Sequence, residues 1–253
     1  MPIIQALDRA LRILDLFDEQ NVELRITEIS QRMQLHKSTV HSLLKTLQMH
    51  GYIEQNEQSG QYRLGMKLVE KGQLLLQGID LRHIVRPHLQ KLSEATGQTT
   101  HLVILDGNEG VYIDKQEGVK AAIRYSRIGR RVSLHSSACG KVLAAFRPDR
   151  ELDRLMKGYS FVRRTERTIG DRPAFMAELQ EVRTRGCAFD REENEPGVRC
   201  AAAPIFEHDG KLAAAMSIST MVSHVDDEEL AELVQSLNRE AADISKKLGW
   251  RSG

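Results

Sequence analysis

Apolar residues repeat at helical spacing in two short neighbouring segments near the amino terminus. Ile29 and Met33 form the apolar side of the first segment, which we expect to begin at a Thr27 N-cap. The second segment begins near His36 or Lys37. Its apolar positions follow at i, i+3, i+4 and i+7 and therefore share one face: Val40, Leu43, Leu44 and Leu47. This pattern predicts two short helices joined by a tight turn.

The opposite face of the second predicted helix is polar and carries no acid. It presents Ser38, His41, Ser42 and Lys45. Hydroxyl, imidazole and ammonium groups can bond to phosphates and base edges, so this face suits insertion into a DNA major groove. A merely solvated helix surface is the alternative interpretation of the same face.

A hairpin pattern follows the second helix. Gly51 ends the helix, strand patterns cover residues 52–56 and 61–64, and a turn at 58–60 joins them. Helix, helix and hairpin in this order predict a winged helix-turn-helix, in which the hairpin tip can touch the DNA backbone. The residues predicted to contact DNA are Thr27, Lys37, Ser38, Thr39, His41, Ser42, Lys45 and Arg63.

The rest of the chain predicts a linker helix and a second domain. We expect the winged helix-turn-helix to span 1–64, the linker 65–79 and the second domain 80–253. Strand patterns in that domain cover 99–105, 110–114, 121–125, 187–190, 198–206 and 211–220. Helical patterns cover 80–96, 149–157, 172–185 and 226–248. A further helix, capped by Ser136 or Ser137, is expected to run to Phe146. Hairpins with helices in the middle and at the end predict an α+β fold, a sheet with helices packed on it.

Composition is that of an ordinary globular protein, with 41% hydrophobic and 28% charged residues. The sequence contains no run of about 18 apolar residues, so we expect no membrane-spanning helix. The first 17 residues contain Asp8 and Asp15 and no small-residue cleavage site, so they predict an amphipathic helix and no signal peptide. The three cysteines are odd in number and widely spaced, which favours a reducing cytoplasm and neither a disulfide framework nor a metal site.

The charge distribution limits how this chain would bind DNA. Residues 1–63 contain seven Lys or Arg and eight Asp or Glu, a net charge of −1, which is unusual for a DNA-binding domain. Residues 36–51, however, contain Lys37 and Lys45 and no acid. We therefore expect few phosphate contacts per subunit and an affinity that depends on pairing two subunits.

Five motifs in order carry a family resemblance: STVHSLLKTLQMHGYI, YRLGMKL, YSRIGRRVSLHSSACGKVLAA, FDREENEPGVRCAAAPIF and AAAMSIS. Together they resemble the IclR family of bacterial transcription regulators over nearly the whole chain, and within it the sugar-acid-sensing, KdgR-like branch. The resemblance implies an N-terminal winged helix-turn-helix, a linker helix that helps to dimerise it, and a GAF-like effector domain. It also implies a small organic acid as effector, a homodimer or dimer of dimers as the assembly, and no cofactor.

Carried over residue by residue, the resemblance implies an effector site at Ala138, Cys139, Asp190, Val198, Cys200, Ser217 and Ser219. The chemistry of these residues fits a hydroxy acid. Backbone amides at a helix start near 137–139 favour a carboxylate. Asp190 can accept from a ligand hydroxyl, and Ser217 and Ser219, two apart on one strand, face the same side. Cys139 is bulkier than its counterpart in the Gly-Ala pair of some family members, which leaves the ligand's identity open.

These side chains also have structural explanations. Cys139 and Cys200 are of a type that is often buried and inert. The two serines could bond to the backbone, and Asp190 could pair with Arg191 or Arg199. The resemblance alone favours a ligand site over these explanations.

Three functions compete at this point. The first is a regulator, expected to be a repressor of a carbohydrate-acid catabolic operon, whose operator affinity an organic acid controls. The second is an enzyme that uses Cys139 or Cys200 as nucleophile with help from His135 and Asp190; no C-x-x-C pair supports it, and Gly140-Lys141 lacks the rest of a phosphate loop. The third is a ligand-binding or dimerising module whose helix-turn-helix no longer binds DNA.

Overall fold

The computed structural model describes residues 3–18, 20–77, 80–120 and 126–250. The chain divides into two compact units, residues 1–79 and 80–253. The strand predicted at 121–125 lies outside the described residues.

The first unit is a winged helix-turn-helix. Its elements are α1 (Gln5–Leu14), α2 (Ile26–Met33), α3 (Lys37–Met49), β1 (Ile53–Gln55), β2 (Tyr62–Leu64) and α4 (Lys67–Gln77). The antiparallel hairpin of β1 and β2 pairs Ile53 with Leu64. The apolar seam predicted for α3 packs inward as expected: Val40 and Leu44 are fully buried, and Leu43 and Leu47 pack at the edge of the same core.

The start of α2 differs from the prediction. Thr27 lies inside the first turn, and the N-cap is Arg25, whose backbone is extended. The Glu28 carboxylate accepts the Arg25 backbone N–H at 2.7 Å, which satisfies one of the donors that a helix start leaves free. The Glu28 carboxylate, three residues after Arg25, therefore outweighs the preference of threonine for the N-cap position. The prediction of a Thr27 N-cap was wrong.

One side of α1 remains exposed. Ile13 is fully buried and Phe17 packs beside it, whereas Leu7 and Leu11 are each more than half exposed. Ile3 and Ile4, just before the helix, are about seven-tenths exposed. The amphipathic helix thus buries one apolar stripe and leaves a second uncovered within its own unit.

The second unit is built on one antiparallel sheet. Its elements are α5 (Asp80–Thr96), β3 (Thr99–Asp106), β4 (Glu109–Gln116), β5 (Arg131–Val132), α6 (Ala138–Ala145), α7 (Asp149–Leu155), α8 (Arg172–Arg185), β6 (Ala188–Arg191), β7 (Val198–Phe206), β8 (Leu212–Met221) and α9 (Asp227–Lys247). The strand order is β5-β4-β3-β8-β7-β6. This confirms the α+β fold, and β5 is a short strand where a polar loop was expected.

Helices cover the two faces of this sheet. On one face α6 packs with α7 and α8 around Leu143, Phe175 and Leu179, all buried. On the other face lie α5 and α9, where Thr100 of β3 donates its hydroxyl to the Leu89 carbonyl of α5 at 3.0 Å. Because successive side chains alternate along a strand, His101 points to the α6 face. None of the helices in the described ranges is long and apolar enough to span a membrane.

A β-bulge in β4 changes which residues reach the α6 face. Leu102 pairs with Asp114 and Val103 with Tyr112, so Ile113 is the extra residue. Tyr112 belongs to the apolar cluster under α6. Asp114 lies on the α5 face instead, where its Oδ2 is 3.2 Å from Nε of Arg82. The bulge therefore places Tyr112 and Asp114 on opposite faces although they are two residues apart.

Candidate DNA-binding and effector sites

The outer face of α3 presents most of the residues predicted to contact DNA. Ser38, His41, Ser42 and Lys45 are exposed on it, with Lys37 at its first residue and Thr39 half-buried. The Ser42 hydroxyl donates to the Ser38 carbonyl at 3.1 Å, so its proton is engaged within the helix while its lone pairs stay free. No acid lies on α3, which makes this face weakly positive.

Two further predicted DNA contacts lie outside α3. Thr27 is exposed in the first turn of α2. Arg63 is exposed on β2, where its guanidinium lies 3.2 Å from Glu54 and 3.9 Å from Glu23. A phosphate would have to compete with these two carboxylates for Arg63. Exposed ion pairs of this kind are weak, so such an exchange costs little.

The residues carried over as effector-binding come together on the α6 face of the sheet. Strand register places Asp190, Cys200, Ser219 and Thr99 in one row across four strands. The next row contains Ser217 and, opposite it, His101. Residues paired across an antiparallel sheet share a face, so register alone brings together side chains that are up to 120 positions apart in sequence.

Helix α6 lies over these rows and begins beside them. Ser137 is its N-cap and accepts from the Gly140 backbone N–H at 3.0 Å. Ala138 and Cys139, its first two residues, are buried. A Cβ at Gly140 would stand 2.3 Å from the Ser133 carbonyl oxygen, so only glycine lets the helix start approach the preceding segment this closely. The free N–H groups of the first turn are thereby held near the polar rows.

Polar contacts link the members of this cluster. Cys200 Sγ lies 3.0 Å from the Ser219 hydroxyl, and Ser217 lies 3.3 Å from Nδ1 of His101. The other ring nitrogen of His101 lies 2.7 Å from the Ser126 hydroxyl. Among the residues that the structure describes, the hydroxyls of both serines therefore bond to side chains and not to the backbone. The remaining predicted member, Val198, is buried at the start of β7 on the same face.

Asp190 is held by the loop that follows it. Its Oδ1 accepts from the backbone N–H groups of Glu193 and Asn194, at 2.7 and 3.3 Å. The ion pair with Arg191 or Arg199 that the sequence allowed is not formed: Arg191 stacks on Phe189, and Arg199 pairs with Asp227 at 2.5 Å. Asp190 is only 2% exposed and turns inward toward the cluster.

Burial shifts the acid–base properties of these groups. It raises the pKa of Asp190 to about 7, against two backbone hydrogen bonds that lower it. It lowers the pKa of His101 to about 3, with help from the charge of Lys115. It also raises the pKa of Cys139 to about 12. The histidine is therefore neutral, the thiol is protonated, and Asp190 can either donate or accept near neutral pH.

Three residues at this site were missed by the sequence analysis. Tyr112 and His101 face the cluster from β4 and β3, and Lys141 anchors the Asp190 loop from α6. The ammonium of Lys141, fully buried, bonds to the Phe189 carbonyl at 2.8 Å and lies 2.7 Å from Glu193. A lysine four residues after the Ser137 cap in an otherwise apolar helix was the one sequence signal that could have revealed this anchor.

The same geometry speaks against a cysteine nucleophile. Burial keeps the Cys139 thiol protonated through its raised pKa, whereas the thiolate is the reactive form. Both ring nitrogens of His135 are occupied, Nδ1 by the Tyr159 hydroxyl at 2.8 Å and Nε2 by the Val162 carbonyl at 3.1 Å. His135 is therefore a structural histidine.

A winged helix-turn-helix joined to a domain with a buried polar cluster defines a DNA-binding transcription regulator. Residues 6–57 match the IclR helix-turn-helix domain, and residues 73–246 match the bacterial transcriptional regulator IclR C-terminal domain. The chain is 54% identical to the HTH-type transcriptional regulator XynR of Escherichia coli over 250 residues, 99% of both chains. It is 40% identical to KdgR of the same organism over 228 residues, 90% of this chain and 87% of that one.

Solved structures of IclR-family proteins match the fold of this chain. The crystal structure of the Thermotoga maritima IclR matches with a TM-score of 0.81 at 35% identity, covering 98% of this chain and all of that one. An IclR homologue from Microbacterium hydrocarbonoxydans, solved in complex with 4-hydroxybenzoate, matches with a TM-score of 0.81 at 25% identity over 96% and 98% of the two chains. This protein belongs to the IclR family of bacterial transcription regulators. Like its named relatives, it is a transcription regulator and not an enzyme.

Proposed function

We propose that a small sugar acid, or its 2-keto-3-deoxy derivative, binds the cluster around Asp190, Ser217 and Ser219 and controls the affinity of the α3 face for operator DNA. The carboxylate would lie at the free amides at the start of α6, and the hydroxyls would bond to Asp190 and the two serines. The single observation that carries the proposal is this convergence of buried polar side chains on one helix N-terminus. We further propose that the protein is a repressor of a carbohydrate-acid catabolic operon.

The chemistry of the cluster supports an acid as the ligand. A carboxyl group with a pKa near 7 repels a bound carboxylate less than a fully ionised one would. Neutral His101 and the serine hydroxyls add donors without adding charge. The family homologue solved with 4-hydroxybenzoate holds a compound that carries a carboxylate and a hydroxyl. Similarity to KdgR and XynR supports the sugar-acid class among such compounds.

We also propose that the working form is a homodimer or a dimer of dimers. The exposed apolar side chains of Ile3, Ile4, Leu7 and Leu11 support a partner at α1, since several large exposed apolar residues so near in sequence favour an interaction surface. One α3 face carries only Lys37 and Lys45, so two copies are needed for useful affinity. Ligand binding would alter operator affinity through a coupling of about 1–3 kcal/mol, roughly 5–150-fold.

A thermal-shift screen tests the ligand class. Aldonic and 2-keto-3-deoxy acids are added to the full chain, and a binder at about 100 times its Kd stabilises the folded state by about 2.7 kcal/mol. We expect at least one acid to raise Tm by several degrees and to release a labelled operator in a gel-shift assay. Uncharged sugars of the same length should do neither.

Variants then locate the site. Replacing Ser217 and Ser219 by Ala should abolish the acid's effect on operator binding and leave DNA affinity without acid unchanged. Ser160→Ala, an exposed serine outside the cluster, is the matched control and should behave as the wild type does. A normal response to acid in the double serine variant would show that the ligand binds elsewhere.

A further inference from the structure

An arginine-lined cavity of about 420 Å³ opens beside the effector cluster. Its lining includes Arg130, Arg131, Arg163 and Arg164, with Tyr112 on one wall and Glu195 as the carboxylate present. We call this cavity the arginine vestibule. The positive charge of its walls comes from Arg163 and Arg164, because Arg131 is paired with Asp106 and Glu109. A lining of this kind attracts anions and raises their local concentration.

Two of these arginines lack an acidic partner. Arg163 donates only to backbone carbonyls, those of Thr165 and Glu166, at 3.2 and 3.0 Å. Arg164 donates to the Ser133 hydroxyl at 3.3 Å. Within the described ranges of the chain, no carboxylate lies within ion-pair distance of either guanidinium. Arg131, in contrast, pairs with Asp106 and with Glu109.

The vestibule shares two walls with the effector cluster. Tyr112 lines the vestibule and packs in the same buried cluster as Cys139 and Cys200. Its hydroxyl makes no hydrogen bond to any residue that the structure describes, and the pKa of Tyr112 is raised first by burial and then by Cys139, Cys200 and Asp190. Asn194 lines the vestibule too, and its backbone N–H donates to Asp190.

The side chains of the cluster are themselves screened from solvent. Cys139, Asp190, Ser217 and Ser219 are each less than 5% exposed. A ligand must therefore reach them through an opening, and Tyr112 and Asn194 are the residues that the vestibule shares with the cluster. Tyr112 lines the vestibule and also packs against His101, with ring centroids 5.0 Å apart, so we expect rotation of its side chain to open a path to the cluster.

We propose that the arginine vestibule is the entrance to the effector site and that Arg163 and Arg164 form an anion-capture site for the carboxylate of an incoming hydroxy acid. The destination of the ligand rests on the function proposed above, whereas the anion site in the vestibule does not. Charged walls that focus a ligand in this way raise association rates by about 10–1,000-fold.

Inorganic sulfate tests the anion site without any effector. In thermal-shift titrations at constant ionic strength, wild type should show a saturable sulfate-dependent rise in Tm beyond that seen with chloride. Arg163→Ala/Arg164→Ala should lose the saturable part, and Arg163→Lys/Arg164→Lys should keep most of it. Arg172→Ala, an exposed arginine paired with Asp153, is the matched control. An unchanged saturable response in the double alanine variant would overturn the capture site.

Association kinetics test the role as an entrance. Gluconate, xylonate and galactonate are injected over immobilised full-length protein at low and at physiological salt. For each acid that binds, the double alanine variant should associate about tenfold more slowly at low salt, with an unchanged dissociation rate and a weaker salt dependence. An unchanged association rate, or a change confined to dissociation, would refute the entrance.

The two proposals fail separately. If sulfate binding depends on Arg163 and Arg164 but Ser217→Ala/Ser219→Ala responds normally to acids, the effector site is misplaced and the anion site stands. If the serine variant loses its response while the arginine variants bind sulfate and acids as wild type does, the vestibule is refuted and the effector site stands.

Discussion

Replacing Lys141 by Met should destabilise the effector domain strongly. The buried ammonium bonds to Glu193 and to the Phe189 carbonyl, which lie in the segment that carries Asp190, and at a longer distance of 3.4 Å to Glu178 of α8. Removing the lysine leaves the Glu193 carboxylate buried without its partner. Breaking one half of a buried ion pair costs about 3–5 kcal/mol. The surrounding apolar helix would accommodate the methionine side chain itself without difficulty.

Tryptophan fluorescence in urea measures this effect in the right domain. Trp250 is the only tryptophan and packs on Phe206, with ring centroids 5.1 Å apart, so it reports on the second unit alone. With a slope of about 2 kcal/mol/M, the loss should lower the unfolding midpoint by about 2 M. The Glu193 backbone N–H also holds Asp190, so acid binding should weaken in parallel.

Two further variants decide whether the uncompensated charge is the cause. Lys141→Met/Glu193→Gln removes both charges and should recover a substantial part of the lost stability. Lys211→Met breaks an exposed pair with Asp209 in the β7–β8 turn and should leave the midpoint unchanged. A single Lys141→Met variant with the wild-type midpoint and slope would refute the reasoning.

Three other outcomes follow from the structure. Lys45→Ala should weaken operator binding in gel shifts without altering acid affinity, and unchanged shifts would exclude the outer face of α3 as the recognition surface. Gly140→Ala should unfold or severely destabilise the second unit, because the added Cβ would lie 2.3 Å from the Ser133 carbonyl oxygen. Gly72→Ala, in open space on α4, is the control and should slightly raise stability. Similar melting temperatures for the two variants would contradict the close packing of α6 at Gly140. Folding raises the pKa of Asp190 from 3.8 to about 7, so the folded chain keeps a proton that the unfolded chain has released, and the free energy of unfolding should fall as pH rises between those values. Asp190→Asn should flatten that slope in urea titrations, and an unchanged slope would assign it to another group.

Helices and most strands were predictable because their signals are local. The period of apolar residues in α3 and the polar Ser137 cap of α6 are properties of a few consecutive residues. The cap of α2 was mispredicted because an exposed Arg25 has no cap preference of its own and depends on the Glu28 side chain. Neighbouring polar groups can replace a preferred cap, and a single sequence does not show which will.

The candidate effector site was predictable in part. Ser217 and Ser219 share a face by the period of a strand, and the family resemblance supplied Asp190 and Cys200. Tyr112 escaped notice because the bulge at Ile113 reverses the alternation along β4. His101 escaped because its neighbour Ser217 is 116 residues away, and only strand register joins them.

The sequence by itself therefore determined the helices, most of the strands and the family to which the chain belongs. Only the tertiary structure decided which polar residues are buried together in one cluster. That decision depends on cross-strand register and on the close packing of α6 at Gly140, and burial then shifts Asp190, His101 and Cys139 away from their ordinary pKa values. Desolvation is a property of the assembled fold and of no single residue, so no local pattern could reveal it.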